Sequence, residues 1–598
     1  MKIATLPPRD PPAVGGVLTE RLVPRHPCPV LVMNQPACPP RPRLRRLPLA
    51  LAAFVLSACQ GSEPAATATG EVGGTVVISL AGEVGTLLPG LVVSMTDRQV
   101  TDLLYDRLAE IGDDLNTIGD EGFTPRLAER WEWAPDSTSI TFHLNPRAKW
   151  HDGQPVRASD VRYSLNLIKD PAFGSPAAVY VANIDSVSVR DSLTAVAWFK
   201  HHTPEEFYDM VYQVVIMPEH VLGNTPAAQL KTADVARKGI GSGRFRLARW
   251  EPGQRLELVA DTANYRGRAK LDRVVFAFSP DFNSAVTRFF AGDADIFDQL
   301  RPENIAKIAG DTVRHAVRYP NLQYATLAFN LVDPKQPTRP HPIFSERAVR
   351  RALTMAVDRA AMARNAFDTL GMPLHGPFPS GMAVADTTLP QIPYDTVAAR
   401  ALLDSAGWLA GPDGIRVKNG RRLAFGISSP VSSATRHQYA VLLQAALRKV
   451  GAEVRLEETD FSTYVARQNT HAFDSELTLF GTDPSVSGFK QTWSTAGIAK
   501  DGSNFAAYSN PVVDALLDSA NTAFDPARAR AYARRAFETI IEDAPAVWLY
   551  QPPTVMGLAR RIRTQPMRAD EYWAHMADWS IPADQRIARD RIGLRPLP

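Results

Sequence analysis

Cysteine usage is the tightest constraint on what this chain can fold into. Cys59 is followed by 539 residues without another cysteine, and only Cys28 and Cys38 precede it. Whatever the chain builds after residue 59 must be held by packing, because one thiol closes no internal disulfide. With more than 500 residues available, that packing should divide between two or three cores.

The surroundings of Cys59 add a second constraint. Arg41, Arg43, Arg45 and Arg46 stand before an uncharged apolar run at residues 47–58. A basic stretch, a short greasy core and small residues at its end form the pattern of a secretory signal. Twelve residues are too few to span a bilayer, which takes about 20. Leu56-Ser57-Ala58-Cys59 resembles the lipobox of bacterial lipoproteins, which implies cleavage before Cys59 and an acylated cysteine at the mature N-terminus. Met33 would begin a conventional signal by itself, so residues 1–32 are read as lying upstream of the working start. The leader, residues 1–58, holds eight of the 66 basic and two of the 63 acidic residues, so the remainder carries a formal charge of −3 against +3 for the whole. The apparent basic character belongs to the leader and gives no support to nucleic-acid binding. Residues 60–74, small and polar, read as a flexible tether. No later segment approaches 18 consecutive apolar residues, and the remainder is expected to be soluble.

Helix and strand signals alternate along the rest, which argues for an α/β protein. VVISL at 76–80 reads as a buried strand and SITFHL at 139–144 as a half-buried one, with Ile140, Phe142 and Leu144 on one face. Residues 244–250 and 255–259 flank Pro252-Gly253 and predict a hairpin. Val349, Ala352, Leu353, Ala356 and Val357 form a helical stripe, with the neighbouring arginines expected in water. Two more helices are expected at 511–520 and 527–541, the second capped by Asp525 with Pro526 at its first position. Residues 546–558 return to strand composition.

Residues 125–165 are the most informative segment. Trp131 and Trp133 lie on a strand, Pro135-Asp136 turns it, and the return strand passes through Phe142. Asp152-Gly153 makes a tight turn, and Ser159 or Asp160 is expected to cap a helix with Val161, Ser164, Leu165 and Ile168 inward. Pro125, Leu127-Ala128-Glu129, Trp131, Pro135-Asp136, Thr141-Phe142, Leu144, Trp150-His151-Asp152-Gly153, Ala158 and Asp160-Val161 together resemble the signature of the family 5 extracytoplasmic solute-binding proteins, the peptide, dipeptide and nickel binding components of ABC importers. Further similar pieces run to EDAPAVWLY at 542–550, including GIGSGRFRLARW at 239–250, LAFN at 327–330 and YSNPVVDALLDSA at 508–520.

The residues themselves give little support to enzymatic chemistry. His151-Asp152 precedes a Gly turn and reads as a hairpin. GIGSG opens a strand, so no helix N-terminus would meet a phosphate there. His201-His202 lacks metal-site context, and no G-x-S-x-G occurs. No catalytic residue, metal ligand or cofactor is assigned.

The resemblance implies a two-lobed periplasmic-binding-protein fold of type II, similar to the large cluster C members, with an extra subdomain in the first lobe. The expected boundaries are 1–58 signal region, 59–74 lipidated cysteine and tether, 75–100 with 240–330 and 545–598 as lobe I, 101–239 as the extra subdomain, and 331–544 as lobe II. It also implies a ligand held between the lobes, where closure removes water from both sides. In peptide-binding members an aspartate three residues after an aromatic pairs with the ligand's α-ammonium group; Phe480 and Asp483 stand at that spacing. Phe480 replaces the usual Trp, and Asp483 precedes Pro484, where a plain turn residue is equally at home. Phe489, Trp493 and Tyr508 are candidate apolar walls, with core as the alternative, and Ser94 and Thr96 are candidates for hydrogen bonds to a ligand backbone. The expected function is a lipid-anchored binding protein, periplasmic or at the cell surface, that delivers a peptide-like solute to an ABC permease. A nickel chelate, haem or an oligosaccharide is the alternative cargo, and a secreted hydrolase or a ligand sensor is the alternative from another class.

Overall fold

The computed structural model describes residues 72–499 and 502–591; the signal-like run, Cys59 and most of the tether lie outside them. Three principal sheets organise the described chain. The first has seven strands in the order Arg314–Tyr319, Thr554–Ala559, Ile296–Phe297, Thr75–Leu80, Arg273–Phe278, Arg255–Ala260, Phe245–Glu251. Thr75–Leu80 lies at its centre, parallel to both neighbours and buried along its whole length, which is why its sequence is mostly apolar rather than alternating, and its buried Ser79 hydroxyl donates to the Ala285 carbonyl. The hairpin expected around Pro252-Gly253 pairs Phe245–Glu251 with Arg255–Ala260.

The second sheet has six strands in the order Met372–Pro373, Ala546–Gln551, Gln323–Phe329, Ser475–Gly481, Ala424–Pro430, Glu453–Thr459. Ala424–Pro430 and Glu453–Thr459 are parallel and joined through the helix Ala434–Arg448, the crossover that parallel pairing requires. A separate core lies under this sheet, built from residues such as Phe329, Phe344, Tyr439, Leu443 and Tyr550. Each such side chain contributes roughly 1.5–3 kcal/mol when fully buried. The third sheet is antiparallel, in the order Ala128–Trp133, Ser139–Leu144, Thr194–Phe199, Ile184–Asp191, with the helix Ala158–Lys169 across it.

The chain passes between the first two sheets twice, at residues 320–322 and at 552–553. The two passages are tied together: the Asn321 side-chain amide donates to the Pro552 carbonyl at 2.8 Å and to Thr554 Oγ1 at 3.1 Å, and the Gln551 amide donates back to the Asn321 carbonyl at 3.1 Å. These crossings differ from the expected lobe boundaries at 330/331 and 544/545. Gln323–Phe329 and Ala546–Gln551 pair with each other in the second sheet, and a buried strand's own residues do not reveal which sheet it will join.

The signature segment proves structural. His151 Nδ1 accepts the Gly241 N–H at 3.1 Å, and its Nε2 donates to the Gly243 carbonyl at 3.0 Å, so the ring clasps the glycine loop. Burial lowers its pKa, in keeping with a neutral ring that donates at one nitrogen and accepts at the other. The loop needs glycine because a Cβ at position 241 would come within 1.8 Å of the Leu104 carbonyl oxygen. Asp152 pairs with His220 at 2.7 Å.

Two local expectations require correction. The helix after the tight turn begins at Ala158, with Arg157 as its cap residue and Asp160 in the third position, where it accepts the Arg157 N–H at 2.8 Å; neither Ser159 nor Asp160 is the cap. Asp160 has further uses, accepting the Glu219 N–H at 2.9 Å and Trp150 Nε1 at 3.2 Å. Nor do all the arginines beside Val349 face water. Arg350 is buried and donates to the carbonyls of Phe344, Asp543 and Ala544, closing the C-terminal end of the helix Pro526–Asp543, where unpaired carbonyls and the helix dipole both favour a cation.

Candidate functional site

Helix Met95–Leu104 starts at Ser94, whose hydroxyl oxygen accepts the Asp97 N–H at 3.1 Å. The loop leading into it is held from below by Asp97, which accepts the Gly85 N–H at 2.6 Å. Above, the loop exposes Val93 and Met95, at 83% and 58%. Beside it the short turn Pro89–Leu91 packs against Pro176–Val179, and there Val179 and Tyr180 are exposed as well. Four apolar or aromatic side chains thus crowd one rim.

Beneath the same helix lies a buried ionic network. Arg98 donates to Glu571 at 2.6 Å and to the Tyr212 hydroxyl, which in turn donates to Asp570 at 2.9 Å. Arg107 pairs with Asp102 at 3.1 Å, and Arg568 reaches Glu110 and Asp570, each at 2.7 Å. Burial alone would raise the Glu571 pKa, but the guanidinium groups of Arg98, Arg107 and Arg568 hold it below the usual carboxylate range. Asp102 is pushed up, first by burial and then by Glu571.

Next to the rim, a cavity of about 400 Å³ opens between residues 179–213, which include the edge of the third sheet's subdomain, and residues 483–521 from the second lobe. Tyr180, Glu205, Tyr208, Asp209, Asp483 and Lys490 line it. Asp483 is both a turn residue and a wall residue. Its Oδ1 accepts the Ser485 N–H at 3.0 Å, while burial pushes its pKa up to about 6; Glu205 adds to the rise, and the Ser485 N–H and Arg98 oppose it. Glu205 reaches across: it accepts the Ser485 hydroxyl at 2.6 Å and the Val486 N–H at 3.0 Å, and the Thr117 hydroxyl at 2.6 Å from its own side. Asp209 begins the π-helical turn Asp209–Gln213, a departure from α geometry that recurs at functional sites. Burial, Glu205 and Asp483 push its pKa well above the ordinary value. A larger concavity, about 660 Å³ and lined by Arg249, Arg255 and Arg273, is built from the first sheet and the segments packed on it, with no residue from the second or third sheet.

Of the residues expected to meet the ligand, Asp483 lines this cavity. Phe480 is half-buried and stacks on Tyr324 and Phe505, with ring centroids 5.0 and 6.0 Å away. Phe489, Trp493 and Tyr508, candidates for wall or core, are buried. Trp493 is 1% exposed and meets Trp548 edge-on, Phe489 meets Phe537 edge-on, and the Tyr508 hydroxyl donates to Asp543 at 2.7 Å. Ser94 is exposed and Thr96 half-buried on the opposing rim. Tyr180, Glu205 and Asp209 were not singled out from the sequence. The signal in PEEFYDMVYQ at 204–213 is its mixture of acids and aromatics, which a packed helical turn shows equally well.

Residues 122–501 match the family described as bacterial extracellular solute-binding proteins, family 5 Middle. The oligopeptide-binding protein AppA of Bacillus subtilis (strain 168) is 28% identical over 539 residues, covering 86% of this chain and 94% of the relative. Protein XP55 of Streptomyces lividans is 30% identical over 528 residues, covering 86% and 92%. Among solved structures, that of AppA from Bacillus subtilis in complex with a nonapeptide superimposes with a TM-score of 0.67 at 24% identity, over 86% of this chain and 99% of the other.

Proposed function

The chain belongs to the bacterial extracellular solute-binding proteins, family 5, and from that premise we propose that it is the binding component of an ABC importer, enclosing a peptide between its lobes for delivery to a permease. One observation carries the peptide reading. The Asp483 carboxylate is positioned by its own turn on the second lobe, inside a cavity that the first lobe closes, and accepts only a backbone N–H there. A carboxylate so placed calls for a cationic partner, and the α-ammonium group of a peptide supplies one. The relatives named for oligopeptide binding point the same way. Exposed Val93, Met95, Val179 and Tyr180 on the rim suit side chains of varied type.

The location follows from the leader. Signal cleavage before Cys59 and acylation of that residue would tether the lobes outside the cytoplasmic membrane through residues 60–74. Among the described residues no helix is long and apolar enough to cross a membrane, so the lipid would be the attachment. Replacing Cys59 with Ser is expected to move the protein from the membrane fraction to the soluble one.

Binding is tested by thermal shift with tri- to nonapeptides, nickel chelates, haem and oligosaccharides. A ligand at a hundred times its Kd stabilises the fold by about 2.7 kcal/mol, so the correct class raises Tm measurably. Peptides that leave Tm unchanged while another class raises it would sink the peptide cargo. In this reading the protein captures and releases its ligand without turnover, and unaltered peptide recovered after long incubation is the expected result.

A further inference from the structure

Resting on the peptide reading, we propose that Asp209 is a specificity determinant that selects peptides whose first residue carries a positively charged side chain. The α-ammonium group requires one carboxylate, and Asp483 provides it from the second lobe. The cavity holds another. Asp209 comes from the other side, at the start of a π-helical turn, and lines the same 400 Å³. Among the described residues its carboxylate makes no hydrogen bond and no ion pair, and the side chain is half-buried on the cavity wall. A half-buried carboxylate without a partner carries a desolvation cost that an arriving cation would offset.

Among the described residues no cation is paired with Asp209. Lys490 is engaged by Asp518 at 2.5 Å, and Arg98 by Glu571 and Tyr212. Glu205 is not a competing recipient, because the Thr117 and Ser485 hydroxyls and the Val486 N–H already occupy its oxygens. Two carboxylates therefore remain, and both are pushed toward protonation partly by the acids around them. A ligand end with one positive charge settles one of them; an N-terminal lysine or arginine settles both. The cavity is at the lower end of the range for small-ligand sites, about 300–1,000 Å³, so it suits the end of a peptide rather than its length. Tyr180, 48% exposed and lining the cavity, offers an aromatic face to the stem and charge of such a side chain.

Calorimetric titration of the mature protein with Lys-Ala-Ala, norleucine-Ala-Ala and Ala-Ala-Ala tests this. The wild type is expected to bind Lys-Ala-Ala on the order of tenfold more tightly than the norleucine peptide, which has a similar stem without the charge. Asp209→Asn is expected to bring Lys-Ala-Ala down to the norleucine level, and Asp209→Glu, which keeps the charge, to retain a preference. Equal wild-type affinity for the lysine and norleucine peptides overturns the selectivity while leaving peptide binding intact, and needs no variant to fold. A preference that survives Asp209→Asn overturns the role of Asp209. Failure of every peptide to bind overturns the underlying reading and this inference with it.

Discussion

Beneath helix Met95–Leu104, Arg98, Arg107 and Arg568 meet Asp102, Glu110, Asp570 and Glu571; in the cavity nearby, Asp209 and Asp483 meet Glu205, and among the described residues no cation pairs with either. In the first group each carboxylate meets a guanidinium of the chain, and Glu571 is held below the usual carboxylate range as a result, while Asp102 is still pushed up by burial and by Glu571. In the second, two carboxylates are pushed toward protonation. Buried charges that serve the fold are paired by the fold, whereas those left unanswered in a cleft have their partner elsewhere.

Breaking the paired group should have the largest effect. The Arg568 side chain is fully buried and bonded to Glu110, Asp570 and the Ile111 carbonyl. Arg568→Met would leave those acceptors buried without a donor and cost about 3–5 kcal/mol, read from urea unfolding. A loss below about 1 kcal/mol would place Arg568 outside the paired class.

The unpaired group should respond with the opposite sign. Asp483→Asn removes a carboxylate that repels Glu205 and resists burial, so the ligand-free protein is expected to gain on the order of 1 kcal/mol at pH 7, after allowance for partial exposure, while losing peptide affinity. The pH dependence follows from the raised pKa. Below about pH 4 the carboxyl is protonated both folded and unfolded and its relative stabilisation is fully present. That stabilisation is lost as pH rises through about 6, the folded value. Glu205, Asp209, Tyr180, Tyr208 and Arg98 surround this group. The variant should therefore lose less stability than wild type between pH 4 and 7, by urea titration across that window. An unchanged slope would remove Asp483 from the unpaired class.

The two groups were unequally legible in the sequence. Local elements could be read directly: Thr75–Leu80 from the apolar residues of VVISL, Ser139–Leu144 from alternation, and Pro526–Asp543 from Asp525 and Pro526 at its start. Asp483 was reached only through its spacing from Phe480 and the family resemblance. Glu205 and Asp209 carried no comparable mark, because Phe207, Tyr208 and Met210 around them are core residues that make the segment look like packing. Their meaning arises only when residue 205 meets residues 485 and 486, some 280 positions later. The same non-locality hid the crossings at 320–322 and 552–553. Trp493 and Tyr508 show the converse, since an aromatic suited to a ligand wall is equally suited to the core, and only the fold decides.

The smallest effect concerns the carboxylate that belongs to both groups. Glu205 is satisfied, like the network below, yet its donors Ser485 and Val486 come from the other side of the cavity, so its hydrogen bonds exist only while the lobes are together. Glu205→Gln keeps the shape but replaces one acceptor oxygen with an N–H₂ group, so the Ser485 or Val486 interaction is weakened. Each such bond contributes roughly 0.5–1.5 kcal/mol net. The change should therefore speed peptide release by roughly fivefold and leave the unfolding midpoint of the ligand-free protein within about 0.5 kcal/mol of wild type. Stopped-flow displacement of a labelled peptide separates the two cases. A faster release with unchanged stability makes Glu205 a latch for closure, whereas a loss of stability without faster release assigns it to the paired, structural class.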